Sequence, residues 1–271
     1  MATSEQTTTL SEVTIKFDDV QLGFDENQVL KSMSFELHRG ETKILLGIAG
    51  SGKSTLLKLA LGLLKPDSGR IEVLGEEVSA MREEDLFALR RKVGMVFQES
   101  ALFDSLTVED NVSYRLREEH LPPEEIDKRV REALRFVELE HTLKKFPSEL
   151  SGGMRRRVAI ARAIITQPEV ILYDSPTGGL DPITSTRIIE LCVKQRDVYQ
   201  TSALLVTHRL QDAFTMATHY WDQKKNQMLP APPEVNTNTS FILMKDGRII
   251  FDGSAPELGR SKDEYIREYI A

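Results

Sequence analysis

Cysteine is nearly missing. The single thiol, Cys192, has no partner for an internal disulfide, so the chain suits a reducing compartment. Its helix-like surroundings, IIELCVKQ, mark it as structural rather than reactive. Long hydrophobic runs are missing too: the most apolar stretch, LLKLALGLL, is too short and too interrupted to cross a bilayer. The opening residues, MATSEQTTTLSE, lack the basic start and apolar core of a secretory signal and read as a tail over 1–12. There is no basic excess. The net charge of −7 argues against general nucleic-acid binding, which needs a cationic surface to replace counterions. No internal repeat is visible. The composition of 271 residues, 40% hydrophobic and 28% charged, is that of a soluble globular protein with ample core-forming capacity. Two glycosylation sequons, at Asn111 and Asn238, are chance matches in such a chain.

What is present alternates between strand and helix. VTIKFDDVQLGF and KSMSFELHRGE read as strands around a turn at Asp25 to Gln28. TKILLGI is an apolar strand running directly into AGSGKS, and STLLKLALGLL then takes helical spacing until Pro66 and Gly69 break it. GRIEVLGEEV reads as a short strand pair, EDLFALRRK as a helix and VGMVFQ as a strand. From Glu99 to about Pro147 the character turns helical, and with the following helix this makes a helical subdomain over about 99–165. In PPEEIDKRVREALRFVEL, Ile126, Val130, Ala133, Leu134 and Val137 share one face behind a proline- and acid-rich start. GGMRRRVAIARAII, EVILYD, PITSTRIIELCVKQRD and SALLVTH then alternate, the order expected of an α/β fold with a parallel sheet covered on both faces. Residues 220–240, rich in Pro, Asn and Thr, read as an exposed, poorly ordered surface insertion. FILMKDGRIIFDGS resumes as a hairpin around Asp246-Gly247, and 256–271 closes as a helical tail.

Three places carry chemistry. Gly47, Ile48, Ala49, Gly50, Ser51, Gly52, Lys53 and Ser54 match G-x-x-x-x-G-K-[ST], with Thr55 next. The glycines let the backbone curl so that successive N–H groups face phosphate oxygens, and the helix that follows adds its positive end. Lys53 would reach the outer phosphates and Ser54 would hold Mg²⁺. Chance produces such a match in about one chain of this size in a hundred, and here a strand precedes it and a helix follows. Asp174, ending EVILYD, is a turn residue by default and a Mg²⁺ ligand given the phosphate loop. Ser151, Gly152 and Gly153 open a second helix, where Ser151 suits an N-cap and the glycines bare backbone N–H groups.

Together these residues resemble the ATP-binding subunit of an ABC transporter over residues 13–255. The Walker A loop is Gly47 to Ser54, the signature LSGGM and the Walker B strand VILYD; Gln98 stands at the Q-loop, Asp181 at the D-loop, His208 at the switch histidine and Phe24 where an aromatic ring stacks on adenine. The resemblance implies a P-loop NTPase fold of ABC type: a mostly parallel core sheet, an N-terminal antiparallel β subdomain and a helical insert. It implies ATP and Mg²⁺, the metal held by Ser54, Gln98 and Asp174, with His208 on the γ-phosphate and attacking water. It also implies a second copy closing head to tail over the nucleotide, and a permease docked on the helical insert from the cytoplasmic face of a bacterial inner membrane. FQESALFDSLTVEDNVSYRLREE and the Met ending LSGGM are similar to the Mce/Mla-type ATPases, which move phospholipid with a permease and an MCE-domain partner. A cassette acting on ribosomes or DNA would carry two such units or a long coiled-coil insert, and neither is present.

One position departs from the family. Where it places a glutamate after the Walker B aspartate, this chain has Ser175, whose hydroxyl has no useful basicity near neutral pH. A positioned general base contributes about 10²–10⁴-fold, or roughly 3–5 kcal/mol of barrier. Three explanations stay open: slow hydrolysis, with His208 and the phosphate positioning water; an ATP-responsive switch or the degenerate half of a heterodimer; or a substitution introduced to trap the ATP-bound pair. Gly178-Gly179, where the family has Ser-Gly, is a lesser departure.

Overall fold

The computed structural model describes residues 12–271, so all of the expected tail but Glu12 lies outside it. The chain begins as an antiparallel pair, β1 (Val13–Phe24) and β2 (Asn27–His38), turning at Asp25 and Glu26 with Asp25 at φ +53°. Next come β3 (Thr42–Gly47), α1 (Lys53–Ala60), β4 (Ser68–Val73), the two-residue β5 (Glu76–Glu77), α2 (Glu83–Arg91) and β6 (Val93–Val96). Three helices follow: α3 (Val108–Glu118), α4 (Pro123–Phe136) and α5 (Gly152–Ile164). The chain returns to alternation with β7 (Val170–Asp174), α6 (Pro182–Tyr199), β8 (Ser202–Val206) and α7 (Leu210–Thr218). It ends with β9 (His219–Asp222), β10 (Gln227–Pro230), β11 (Thr239–Lys245), β12 (Arg248–Ser254), α8 (Ala255–Gly259) and α9 (Glu264–Ile270).

The core sheet has the order β12-β11-β3-β8-β7-β6, parallel throughout except for the edge strand β12. Its parallel strands are largely buried on both faces, as parallel sheets require, while the edge strand β12 is not. Ile44, Leu46, Ile171, Tyr173, Ala203 and Leu205 pack toward α3–α7, while Leu45, Val170, Leu172, Leu204 and Val206 pack toward α1, α2 and the antiparallel sheet β2-β1-β4-β5.

Helix α1 is shorter than its apolar pattern suggests. It ends at Leu61–Gly62, before Pro66, because Gly62 takes the left-handed conformation (φ +64°). Gly62 N–H then donates to Leu59 O and Leu63 N–H to Lys58 O, both at 2.9 Å, which satisfies the last carbonyls. Helices α3 and α4 form where expected. Thr107 caps α3 by accepting the Asp110 N–H, and α4 starts on Pro123 with Glu124 and Glu125 in its first turn. Asn111 is fully buried and donates to the carbonyls of Phe103, Leu106 and Thr107, so this sequon is a structural clamp.

Residues 219–230 correct the expectation of an exposed loop. They form the antiparallel hairpin β9–β10, and only 231–238 remain irregular. The hairpin is fastened to α6: Trp221 is 9% exposed, its backbone N–H donates to Asp197 Oδ2 at 2.7 Å, and Lys194 Nζ lies 4.9 Å from the centre of its ring. Arg196 donates to the carbonyls of Met216 and His219 on either side. These partners are distant in sequence, so local composition did not reveal them. Trp221→Ala is expected to lower unfolding stability by about 3 kcal/mol, read as a shift in denaturant midpoint at unchanged far-UV dichroism.

Candidate nucleotide-binding site

Four neighbouring parallel strands end on one edge of the core sheet, and each releases part of the site there. Such an edge is where open α/β sheets bind ligands. β3 leads into the phosphate loop, β7 into Asp174 and Ser175, β8 into His208 and β6 into Gln98.

The loop shape depends on its glycines. Gly47, Gly50 and Gly52 have φ of +143°, +80° and +95°. A Cβ on Gly47 would stand 2.5 Å from the Met244 carbonyl oxygen, so no larger residue fits between loop and sheet. Ile48, Ala49 and Gly50 are exposed as a rim, while Ser51, Gly52 and Lys53 are buried and Ser54 and Thr55 half-buried. Lys53 folds back across the loop, its Nζ donating to Gly47 O at 2.9 Å, Ile48 O at 2.7 Å and Ser51 Oγ at 3.0 Å. Burial pushes its pKa down, partly offset by Asp174. An ammonium held by neutral oxygens in a partly dry setting is primed for an anion, because phosphate oxygens can replace those acceptors with charge.

Ser54 Oγ donates to Asp174 Oδ1 at 2.9 Å. A hydroxyl and a carboxylate in contact beside a phosphate loop are hard oxygen donors of the kind Mg²⁺ takes, with nucleotide and water completing its shell. These two residues would hold the ion, which would neutralise triphosphate charge. No group of three or more His, Cys, Asp or Glu among the described residues could hold a metal ion.

Ser175 is fixed by its backbone. It is 6% exposed at φ +47°; its N–H donates to Val206 O at 2.9 Å, and its carbonyl accepts from Gly178 N–H at 2.9 Å and Arg156 Nη1 at 3.1 Å. The backbone at this position is therefore held by three hydrogen bonds independent of the side chain.

Arg156 was not anticipated. Buried in the second turn of α5, it also donates to Phe97 O at 3.3 Å and Gly178 O at 3.4 Å, joining the exit of β6 to the segments around 175 and 178. Burial lowers its pKa, with Glu99 and Asp174 opposing. A signal existed: Arg156 lies four residues before Ile160 and seven before Ala163, on the core-facing stripe of its helix.

His208 is exposed, and its neighbour Arg209 donates to Leu180 O at 3.3 Å and Ser185 Oγ at 2.7 Å, linking the turn after β8 to the chain on both sides of Asp181. Asp181 is the N-cap of α6: its Oδ1 accepts the Thr184 N–H at 3.0 Å, and hydrogen bonds to the Thr184 side chain first and its backbone second hold the Asp181 pKa below the usual carboxylate range. Gln98 is exposed beyond β6. Phe24, at the end of β1, is 47% exposed.

Ser151 caps α5 through Oγ, accepting the Met154 N–H at 3.2 Å. A Cβ on Gly153 would meet Thr184 Cγ2 at 2.3 Å, so glycine lets α5 abut the start of α6. Within one chain, Lys53, Ser54 and Asp174 are brought together. Phe24 and Ser151–Gly153 make no hydrogen bond to the phosphate loop among the described residues.

Comparison with known proteins agrees with this geometry. Residues 30–178 match the ABC transporter family. The chain is 41% identical over 269 residues to the chloroplastic protein Trigalactosyldiacylglycerol 3 of Arabidopsis thaliana, covering 96% of this chain and 74% of that one. It is 33% identical to MlaF of Escherichia coli, an intermembrane phospholipid transport system ATP-binding protein, over 93% and 86% of the two chains. The methionine import ATP-binding protein MetN of Bifidobacterium longum is 36% identical over 76% of this chain and 52% of its own. Among solved structures, a dimeric ATP-binding cassette in a post-hydrolysis state bound to ADP and Pi superposes with a TM-score of 0.74 at 29% identity, over 89% of this chain and 98% of that one. A Clostridium perfringens cassette, part of the ABC transporter complex cbiONQ, gives 0.75 at 30% identity over 95% and 94%. With its phosphate loop, its Ser54–Asp174 pair and these relatives in agreement, the chain belongs to the ABC transporter family as an ATP-binding subunit.

Proposed function

We propose that this subunit powers a permease that moves phospholipid or a related lipid, working as a pair of copies closed over MgATP. The observation that carries the lipid reading is the extent of similarity. MlaF and the Arabidopsis protein, which carries a glycolipid's name, match 93–96% of the chain, whereas the methionine importers match 72–76%.

In this reading the loop amides and Lys53 take the phosphates, Ser54, Asp174 and Gln98 hold the Mg²⁺, and Phe24 stacks on the base. Neither phosphate-binding helix end completes a site alone, so the Ser151–Gly153 end of one copy closes over the loop of the other, with Asp181 at the seam. His208 and water act at the γ-phosphate. With a hydroxyl at 175, binding is retained better than turnover. The permease docks on the helical subdomain. A groove of about 390 Å³ lined by Leu63, Met95, Phe97, Phe103 and Tyr114 lies beside the segment that carries Gln98, and its exposed aromatic rings suit an apolar permease segment. No helix among the described residues is long and apolar enough to cross a membrane; the subunit works peripherally, on the cytoplasmic face of a bacterial inner membrane, with an MCE-domain protein as a further partner of the complex.

Reconstitution tests the reading. The subunit and its permease, in vesicles holding both labelled phospholipid and labelled methionine, should show MgATP-dependent movement of phospholipid and lipid-stimulated ATPase activity. Movement of methionine alone would overturn it.

A further inference from the structure

The C-terminal helix has no part in the chemistry above, yet it reaches the root of the phosphate loop. Helix α9 is capped by Asp263, whose Oδ1 accepts the Ile266 N–H at 3.0 Å. It is held down by Ile266, 3% exposed, and by Lys245, whose Nζ sits 4.0 Å from the centre of the Tyr265 ring. Its last turn delivers Tyr269, whose hydroxyl accepts the Gly47 N–H at 3.0 Å across 222 positions of sequence.

Gly47 is thus held at both ends. Its N–H is taken by α9, and its carbonyl by Lys53 Nζ, the cation that must turn toward phosphate. Gly47 has no side chain and lies at φ +143° against the Met244 carbonyl of β11, so the Tyr269 bond adds a hold from outside the sheet. Burial raises the Tyr269 pKa, which keeps the hydroxyl neutral at physiological pH.

We propose that Tyr269 is a positioning residue for nucleotide binding: through its hydroxyl, α9 holds Gly47, and with it the mouth of the phosphate loop, in the form that receives a triphosphate. This rests on ATP being bound at Gly47–Ser54. The same helix supplies a control. The Tyr265 hydroxyl, one turn earlier, is buried without a hydrogen-bond partner, while its ring packs 6.4 Å from that of Tyr269.

The test compares the full chain with Tyr269→Phe and Tyr265→Phe, measuring MgATP affinity, the KM and kcat for ATP, and thermal midpoint. Loss of one hydrogen bond at the loop should raise the Kd and KM of Tyr269→Phe about three- to tenfold, with kcat within about twofold of wild type and the midpoint nearly unchanged. Tyr265→Phe should match wild type throughout. Unchanged MgATP affinity in Tyr269→Phe would overturn the proposal. So would equal weakening in both variants, or a fall in midpoint that tracks the loss of affinity, since either assigns α9 a packing role alone. A wild-type chain that bound no MgATP would instead defeat the nucleotide-site reading.

Discussion

Ser175→Glu should raise the kcat for ATP in the assembled complex by at least about tenfold, with little change in MgATP affinity. The backbone at 175 is already pinned by Val206, Gly178 and Arg156, so the substitution adds a carboxylate to a finished scaffold. The tenfold floor lies below the low end of what a positioned base contributes, and the structure supplies the reason for setting it there. The Arg156 guanidinium lies against the carbonyl of residue 175, and a nearby cation draws down the pKa of a new carboxylate and weakens it as a base. Steady-state phosphate release gives kcat, and titration with a slowly hydrolysed analogue gives affinity. No increase in kcat would show that the missing carboxylate does not limit turnover.

Lys53→Ala should weaken MgATP binding by at least about a hundredfold, equivalent to roughly 2.7 kcal/mol, and abolish nucleotide-dependent pairing. Nothing else in the loop carries a positive charge, and the three oxygens that Lys53 now satisfies cannot attract phosphate themselves. The depressed pKa of Lys53 adds a pH signature. As pH rises through that lowered value the free protein loses the ammonium, and binding must then take up a proton. Wild-type affinity should therefore fall on the alkaline side, with proton uptake visible calorimetrically in buffers of different ionisation enthalpy. Lys53→Ala should show neither effect. Undisturbed nucleotide uptake and pairing in this variant would sink the assignment of the site.

Legibility in the sequence followed locality. The phosphate loop, the strand before it and the helix after it are contiguous, so one motif and its flanking periodicity sufficed to place them. β7 and Asp174 were readable for the same reason. Where the deciding partner lies far along the chain, reading failed. Trp221 makes β9–β10 a packed hairpin through Asp197 and Lys194, contacts that composition cannot register. Helix α7 went unread between His208 and that hairpin. Arg156 looked like one charge in a run of three, and only its place on the buried stripe set it apart. Tyr269 offered no signal at all, because its importance comes entirely from Gly47. The end of α1 is different: Gly62 was in view, but Pro66 is the louder breaker.

The guanidinium of Arg156 works as a rivet. Three carbonyls, at 97, 175 and 178, are clamped to one planar cation inside the protein, so the chain leaving β6 cannot slide past the chain leaving β7 unless a charged bond is given up. If a permease docks beside Gln98 as proposed, Arg156 is the side chain through which its displacement would reach residue 175.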